Sequence, residues 1–272
     1  MSDAVAPGPA PGPGPGLAHR RPLVAGNWKM NGLRAEAVAL VKGLSAALGE
    51  GGLERVEVVV CPPFTVLGEV ARALEGTGIG LGAQNLHWAD RGAFTGEVSG
   101  PMLVELGCSH VIVGHSERRQ FFGETDETAG RRLGAALRHG LVPILCVGET
   151  WEEREAGRTQ AVVERQLRTA LEVALREGAG VPAVAYEPVW AIGSGRPASG
   201  ADAQEVAALI RSVLADILGP ERAVAARVLY GGSVKADNVA DFTGQPDVDG
   251  ALVGGASLSA EGFAALVRQV RP

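Results

Sequence analysis

The residues best suited to proton transfer are a glutamate and a histidine, each placed where an apolar run ends. Glu187 closes the run Ala183–Glu187, and Pro188 restricts it to an extended conformation. A carboxylate at the end of a buried strand is partly desolvated, so we expect its pKa to be raised toward that of a general base at neutral pH. His115 closes the run His110–His115, and the sequence leaves open whether it is catalytic or a hydrogen-bonded structural histidine.

A lysine and an asparagine near the end of the first apolar run form a candidate anion site. Asn27 and Lys29 are two residues apart, so they share one face of an extended chain. A lysine that points into a protein interior is costly unless it meets an anion, and the alternative is a surface lysine just past a strand. Arg118 and Arg119, which follow His115, are better explained by a solvated turn or an ion-pair cluster.

Two glycine pairs offer backbone N–H groups to a phosphate. Gly231-Gly232-Ser233 and Gly254-Gly255 each follow an apolar run directly, where helix dipoles favour an anion. The segment Val189–Gly195 is apolar with small residues at its far end, which is typical of a lid, although a loop packed on its neighbours remains open. Residues 193–198 match the spacing of a dinucleotide fingerprint, but their late position and internal proline argue against one.

Eight short apolar runs alternate with stretches of helical periodicity. The runs are Leu23–Trp28, Val56–Cys61, Ile79–Gln84, His110–His115, Val142–Val147, Ala183–Glu187, Val228–Gly231 and Gly250–Val253. The clearest helical patterns are Ala35–Leu48, Thr128–His139, Ala161–Leu175 and Ala203–Leu218. After the third run we expect a loop to Val98 and a short helix at Met102–Leu106.

Near-continuous apolar strands are buried on both faces, as in a parallel sheet wrapped by helices. Eight β-then-α units in roughly 250 residues predict a single α/β domain, a (β/α)8 barrel, with a doubly wound sheet as the competing topology. In such a barrel the loops after the C-terminal ends of the strands carry function. All the polar residues singled out above lie at those ends.

Composition narrows the class of protein. The formal net charge of −6 over 272 residues provides no overall positive field for nucleic acid or for an anionic membrane, and no apolar run is long enough to span a bilayer. Three widely spaced cysteines favour a reducing compartment over a disulfide framework. Residues 1–20, rich in Pro, Gly and Ala, predict a disordered tail, which leaves residues 21–272 for the barrel.

Five segments together resemble the triosephosphate isomerase family, and the resemblance covers residues 21–272. The segments are Asn27–Asn31, Gly114–Arg119, Tyr186–Gly193, Tyr230–Val234 and Val253–Ser257. Their order and spacing match. The resemblance implies a TIM barrel enzyme of glycolysis and gluconeogenesis that interconverts dihydroxyacetone phosphate and D-glyceraldehyde 3-phosphate through an enediol(ate), with no cofactor or metal.

The resemblance also implies a role for each site residue. Glu187 is the base, and His115 is the neutral electrophile that polarises the carbonyl group. Lys29 binds the substrate and stabilises the enediolate charge, with Asn27 beside it, and Glu117 resembles an acid near this lysine. The phosphate is bound by N–H groups of Gly193, Ser233, Gly254 and Gly255.

A homodimer and a cytoplasmic location are further implications of the resemblance. Ala93–Glu97 resembles a loop that inserts into the neighbouring subunit, where Thr95 helps to position Asn27 and Lys29. Gly195-Arg196-Pro197 departs from the family pattern at the end of the lid. Two alternatives remain: another phosphate-binding barrel enzyme (a sugar-phosphate isomerase, or an aldolase that needs a desolvated lysine) and a binding protein on an inactive barrel.

Overall fold

Eight parallel strands close into a barrel in sequence order, with β8 paired to β1. The computed structural model describes residues 20–49, 51–178, 180–192 and 198–271. The strands are β1 (Leu23–Asn27), β2 (Glu57–Cys61), β3 (Gly80–Ala83), β4 (His110–Val113), β5 (Val142–Val147), β6 (Ala183–Tyr186), β7 (Val228–Tyr230) and β8 (Gly250–Val253). The predicted (β/α)8 barrel is confirmed, and the closing β8–β1 pair excludes the open doubly wound sheet.

Helices follow the strands and cover the barrel. They are α1 (Arg34–Leu48), α2 (Leu67–Leu74), α3 (Gly100–Glu105), α4 (Ser116–Phe121), α5 (Asp126–Arg138), α6 (Trp151–Glu155), α7 (Thr159–Ala174), α8 (Gly200–Leu218), α9 (Pro220–Ala225), α10 (Val239–Thr243) and α11 (Ala260–Gln269). The expected long loop and short helix after β3 are present. The sequence analysis did not single out the additional short helices α4, α6 and α9, each of five or six residues.

The core has two layers, which explains why the strands are apolar at nearly every position. One set of alternate strand residues fills the barrel interior, with Ile112, Ile144 and Leu252 among its members. The other set packs outward against the helices, as Val111 and Val113 do. Several predicted strands are one or two residues too long at their C-terminal ends. Most of the polar residues of interest therefore lie just beyond the ladder, in the loops, while Asn27 is the last residue of β1.

Arg20, which the sequence analysis placed in the N-terminal tail, contacts the barrel. Residues 1–19 of the proposed tail lie outside the described part of the chain, but Arg20 is described. Its Nε donates to Asp249 Oδ1 at 2.6 Å, just before β8, so Arg20 contacts the barrel. Within the described residues, no helix is both long and apolar enough to cross a membrane.

Candidate active site

A cavity of about 600 Å³ opens at the C-terminal ends of the strands. Most of the residues that the sequence analysis proposed for the site line this cavity: Asn27, Lys29, His115, Glu187, Ser233, Gly254 and Gly255. Residues from β1, β4, β6, β7 and β8 or the loops after them thus meet although they are far apart in the sequence. Gly193, the remaining candidate, lies outside the described residues.

Glu187 follows β6 directly and is only 2% exposed. Its backbone N–H donates to the Val147 carbonyl at 2.7 Å, which continues the alignment of β6 with β5 by one residue. One carboxylate oxygen lies 2.9 Å from Nε2 of His115, and the other accepts the Ser116 N–H at 2.9 Å. The carboxylate therefore lies at the start of α4.

The expectation of a raised pKa for Glu187 is wrong for this state of the chain. Burial does raise the pKa of the carboxyl group. The charge and hydrogen bond of His115, together with the hydrogen bonds from Ser116, outweigh burial and hold the pKa below its usual value. Sequence reasoning considered desolvation but had no means of knowing that His115 would contact this carboxylate.

His115 is buried and caps the N-terminus of α4, where its Nδ1 accepts the backbone N–H of Glu117 at 3.2 Å. In the neutral ring the proton is therefore on Nε2, which faces Glu187. Burial lowers the pKa of His115, but the Glu187 carboxylate outweighs burial and raises the pKa in this arrangement. Without that carboxylate, burial and the Lys29 charge still lower the pKa, and the nearby Glu117 carboxylate still raises it.

Lys29 adopts a left-handed backbone conformation, with φ at +52°. Its Nζ lies 2.5 Å from Oε1 of Glu117, and its N–H donates to Oδ1 of the buried Asn27 at 3.0 Å. The Lys29 stem runs past Gly254, where an added Cβ would lie 3.5 Å from Lys29 Cε. The alternative of an ordinary surface lysine is therefore wrong, because this ammonium group is part of the cavity wall.

The two arginines after the histidine form ion pairs, as the sequence analysis favoured. Arg118 pairs with the buried Glu124. Arg119 NH1 lies 2.5 Å from Asp126, and its Nε donates to the Gly114 carbonyl at 2.8 Å. These contacts fix α4 against the start of α5 and so fix the backbone that carries His115.

Two glycines make room for Glu187, a role that the sequence analysis gave to neither: it proposed Gly231 only as part of a phosphate loop and did not consider Gly148. A Cβ on Gly148 would lie 1.7 Å from the Glu187 carbonyl oxygen. A Cβ on Gly231 would lie 2.9 Å from Glu187 Cγ. Each glycine directly follows a strand that neighbours β6, and this position was the only sequence signal that could have found them.

The proposed phosphate loops form the far wall of the cavity. Gly255 opens a 3-10 turn, Gly255–Leu258, directly after β8 and Gly254. On the neighbouring loop, Asn238 donates to the Ser233 carbonyl at 3.2 Å and accepts the Lys235 N–H at 2.8 Å. The asparagine side chain thereby fixes the loop whose backbone would contact an anion.

A buried carboxylate lies beneath the start of the predicted lid, of which the structure describes Val189–Ile192. Glu149 is fully buried after β5. It accepts hydrogen bonds from Trp190 Nε1 at 2.9 Å and from the Tyr186 hydroxyl at 3.1 Å. The sequence analysis missed Glu149, although its place just after a strand end was a signal. Among the described residues no cluster of three His, Cys, Asp or Glu side chains fits a metal ion.

Comparisons with known proteins agree with this geometry. The family model described as triosephosphate isomerase matches residues 22–270. A triosephosphate isomerase of Moorella thermoacetica is 57% identical over 91% of this chain and 98% of its own length. Those of Symbiobacterium thermophilum and Citrifermentans bemidjiense are 53% and 54% identical, over 91% and 92% of this chain and 96% and 98% of their own lengths. A barrel with this cavity, matched along nearly its whole length by such relatives, belongs to the triosephosphate isomerase family.

Proposed function

We propose that Glu187, His115 and Lys29 carry out the reaction of this isomerase, the interconversion of dihydroxyacetone phosphate and D-glyceraldehyde 3-phosphate. The single observation that carries the assignment is the 2.9 Å contact between His115 and Glu187 in a cavity that also holds Lys29 and both glycine loops. A base, an N–H donor, a cation and a phosphate cradle are the groups this chemistry needs, because the proton to be moved lies α to a carbonyl.

Glu187 moves the proton between the two carbon atoms. When substrate occupies the cavity, the carboxylate leaves the N–H groups of His115 and Ser116 and turns toward the carbon. It then loses the interactions that lower its pKa, while burial, which raises the pKa, remains. Substrate binding thus converts a weak base into a stronger one.

His115 and Lys29 stabilise the charge that develops on the substrate oxygens. The Nε2–H of His115 donates to the carbonyl oxygen and strengthens that bond as the enediolate forms. Once Glu187 has turned away, its charge and hydrogen bond no longer raise the pKa of His115, and burial, the largest influence on this pKa, lowers it and favours the neutral ring. The Lys29 ammonium, held by Glu117, faces the same oxygens.

The phosphate is bound by backbone N–H groups of Ser233, Gly254 and Gly255, and Gly193 of the lid completes the set. The first three line the cavity opposite Glu187, and the short turn after Gly254 directs N–H groups toward it. Trp190 moves with the lid when it closes over the phosphate. The lid excludes water from the intermediate, which otherwise loses its phosphate group.

The reaction is tested by adding D-glyceraldehyde 3-phosphate and following dihydroxyacetone phosphate in a coupled assay. In D2O the product should carry deuterium at C1, because the enediol exchanges its proton with solvent through the base. Glu187→Gln should abolish both turnover and deuterium incorporation. Cleavage or condensation of the substrate would indicate an aldolase, and absence of turnover in the wild-type chain would indicate a binding protein. The Lys29–Glu117 ion pair already argues against an aldolase lysine.

We further propose that the chain works as a homodimer through the Ala93–Glu97 loop. This loop is exposed throughout. Next to Lys29, a second cavity of about 180 Å³ opens between Met30 and Phe122, whose exposed fractions are 94% and 67%. Apolar side chains exposed to this degree around an active-site opening favour burial by another subunit, and the partner's Thr95 would reach this cavity.

Sedimentation analysis of a charged variant tests the dimer. Phe122→Glu should shift the chain to monomers and lower activity, because the loop of the partner no longer supports Lys29. Leu175→Glu, which changes another exposed apolar residue at the end of α7, is the control and should remain dimeric. A Phe122→Glu variant that sediments and turns over like the control would disprove the interface.

We also propose a cytoplasmic location. All three cysteines, Cys61, Cys108 and Cys146, are buried free thiols, which suits a reducing compartment. Immunodetection of the full chain after cell fractionation tests this proposal. Recovery with an oxidising compartment would contradict it.

A further inference from the structure

Lys29 holds a backbone conformation that side chains rarely adopt. Within the described residues it is the one non-glycine residue with positive φ. Such a conformation persists only when surrounding contacts hold it. In this left-handed conformation the stem of the Lys29 side chain runs along Gly254. The side chain of the next residue, Met30, is exposed.

Both peptide groups of Lys29 are held by amide side chains. Its N–H donates to Asn27 Oδ1 at 3.0 Å. Its carbonyl oxygen accepts Nε2 of Gln84 at 2.8 Å. Gln84 follows β3, and its Nε2 also donates to the Cys61 carbonyl at 2.9 Å, at the end of β2. That second bond anchors the amide to the rigid barrel, so Gln84 joins the Lys29 turn to the ladder.

We propose that Gln84 is a positioning residue: it fixes the Lys29 carbonyl and thereby the left-handed turn that directs the ammonium group at the substrate. This inference rests on the proposed function. Gln84 borders the smaller cavity and not the larger one, so it acts through Lys29. Without its amide, the peptide after Lys29 can rotate, the backbone relaxes to negative φ, and the ammonium group leaves Glu117 and the cavity.

A double-mutant cycle separates positioning from general support of the fold. Gln84→Met keeps the length of the side chain but removes both N–H donors. Gln204→Met is the matched control, since Gln204 is also half-buried and lies away from the cavity. Its Nε2 donates to Asp247 Oδ2 at 2.6 Å, and its Oε1 accepts the Asp247 N–H at 3.1 Å. The ligand is 2-phosphoglycolate, whose carboxylate takes the place of the enediolate. Its Kd is measured by calorimetry in the wild-type and Lys29→Met backgrounds.

We expect Gln84→Met to raise the Kd for 2-phosphoglycolate and the KM by about tenfold, because the loss of both hydrogen bonds of the amide lets the Lys29 turn relax away from the ligand, with a smaller fall in kcat. In the Lys29→Met background the same change should leave Kd within about twofold, since coupled residues are not additive. Gln84→Met and Gln204→Met should lower Tm by similar amounts, but Gln204→Met should leave Kd and KM unchanged. A crystal structure of Gln84→Met should show Lys29 with negative φ.

Two results would overturn the proposal. One is a Gln84→Met chain with Lys29 still at positive φ and wild-type Kd. The other is an equal loss of affinity with and without the Lys29 side chain. Failure of the proposed function is distinct, because it would appear as absence of turnover in the wild-type chain, and the structure of Gln84→Met would still decide whether Gln84 holds the turn.

Discussion

Nε2 of His115 lies 2.9 Å from Oε1 of Glu187, and both side chains are buried. The second oxygen of the same carboxylate accepts the Ser116 N–H at 2.9 Å. The base of the proposed reaction is therefore in contact with the residue proposed as its electrophile. In the proposed reaction the pair separates, which removes the contacts that lower the pKa of Glu187 and the contact that most raises the pKa of His115.

Shortening the base should reduce turnover without disturbing the barrel. Glu187→Asp withdraws the carboxylate by one methylene, and a misplacement of this size costs on the order of 10²-fold in kcat. Steady-state kinetics measure the loss, and circular dichroism checks the fold. A variant that turns over like the wild type would remove Glu187 from the role of base.

The lowered pKa of Glu187 predicts how stability depends on pH. A carboxyl group whose pKa is lower in the folded chain contributes stability that is present above its unfolded pKa, near 4.5, and is lost as pH falls through the folded value. As the pH falls below 4.5, the unfolding free energy of the wild type should therefore decrease relative to that of Glu187→Gln. Denaturant titrations of both chains measure this difference. Acidic groups away from Glu187 cancel, and the comparison is made below pH 4.5 because the pKa of His115 also differs between the two chains. A difference that is flat below pH 4.5 would contradict the lowered pKa.

Filling the space beside the base should displace it. In Gly231→Ala the added Cβ would lie 2.9 Å from Glu187 Cγ and 3.2 Å from the Tyr186 carbonyl oxygen. We expect kcat to fall by roughly 10- to 100-fold, because small displacements of a catalytic group are costly. Gly68→Ala in α2 is the control, since its Cβ meets only Leu106, at 3.9 Å. It should retain full activity and gain up to about 1 kcal/mol from helix propensity. Equal kcat values for the two variants would mean that Gly231 does not shape the site.

The N-terminal boundary predicts two different effects on thermal stability. Removing residues 1–19 should leave Tm and activity unchanged, as the composition of that segment suggests. Arg20→Ala removes the 2.6 Å contact to Asp249 and should lower Tm by about 2–4 °C, if about 1 kcal/mol is lost. Calorimetry of the two chains checks this. A drop of several degrees in the truncated chain would show that the tail packs on the barrel.

The sequence was sufficient to predict the architecture, because a strand that is buried on both faces is apolar at nearly every position. Every strand of the barrel coincides with a predicted apolar run, since both faces of each strand are covered. The ends were less certain. Apolarity continues past the last ladder pair, so the run His110–His115 overshoots β4, which ends at Val113.

The candidate residues were also accessible from sequence, because loops after parallel strands meet at one end of a barrel. Lys29 and Gly254 could thus be assigned to one site without knowing how they touch. Glu149 and Gly148 were overlooked, since a lone carboxylate or glycine after a strand has many ordinary explanations.

What the sequence determined, then, is which residue types stand at which strand ends. Only the tertiary structure decided their state: Glu187 pairs with His115, so its pKa is lowered where burial alone predicted a rise. Likewise, the carbonyl of Lys29 accepts a hydrogen bond from Gln84, which is 55 residues away along the chain. The physical reason is the same in both cases. Hydrogen bonds and charges act over a few ångströms in space, and those distances are set by barrel closure and not by position in the sequence.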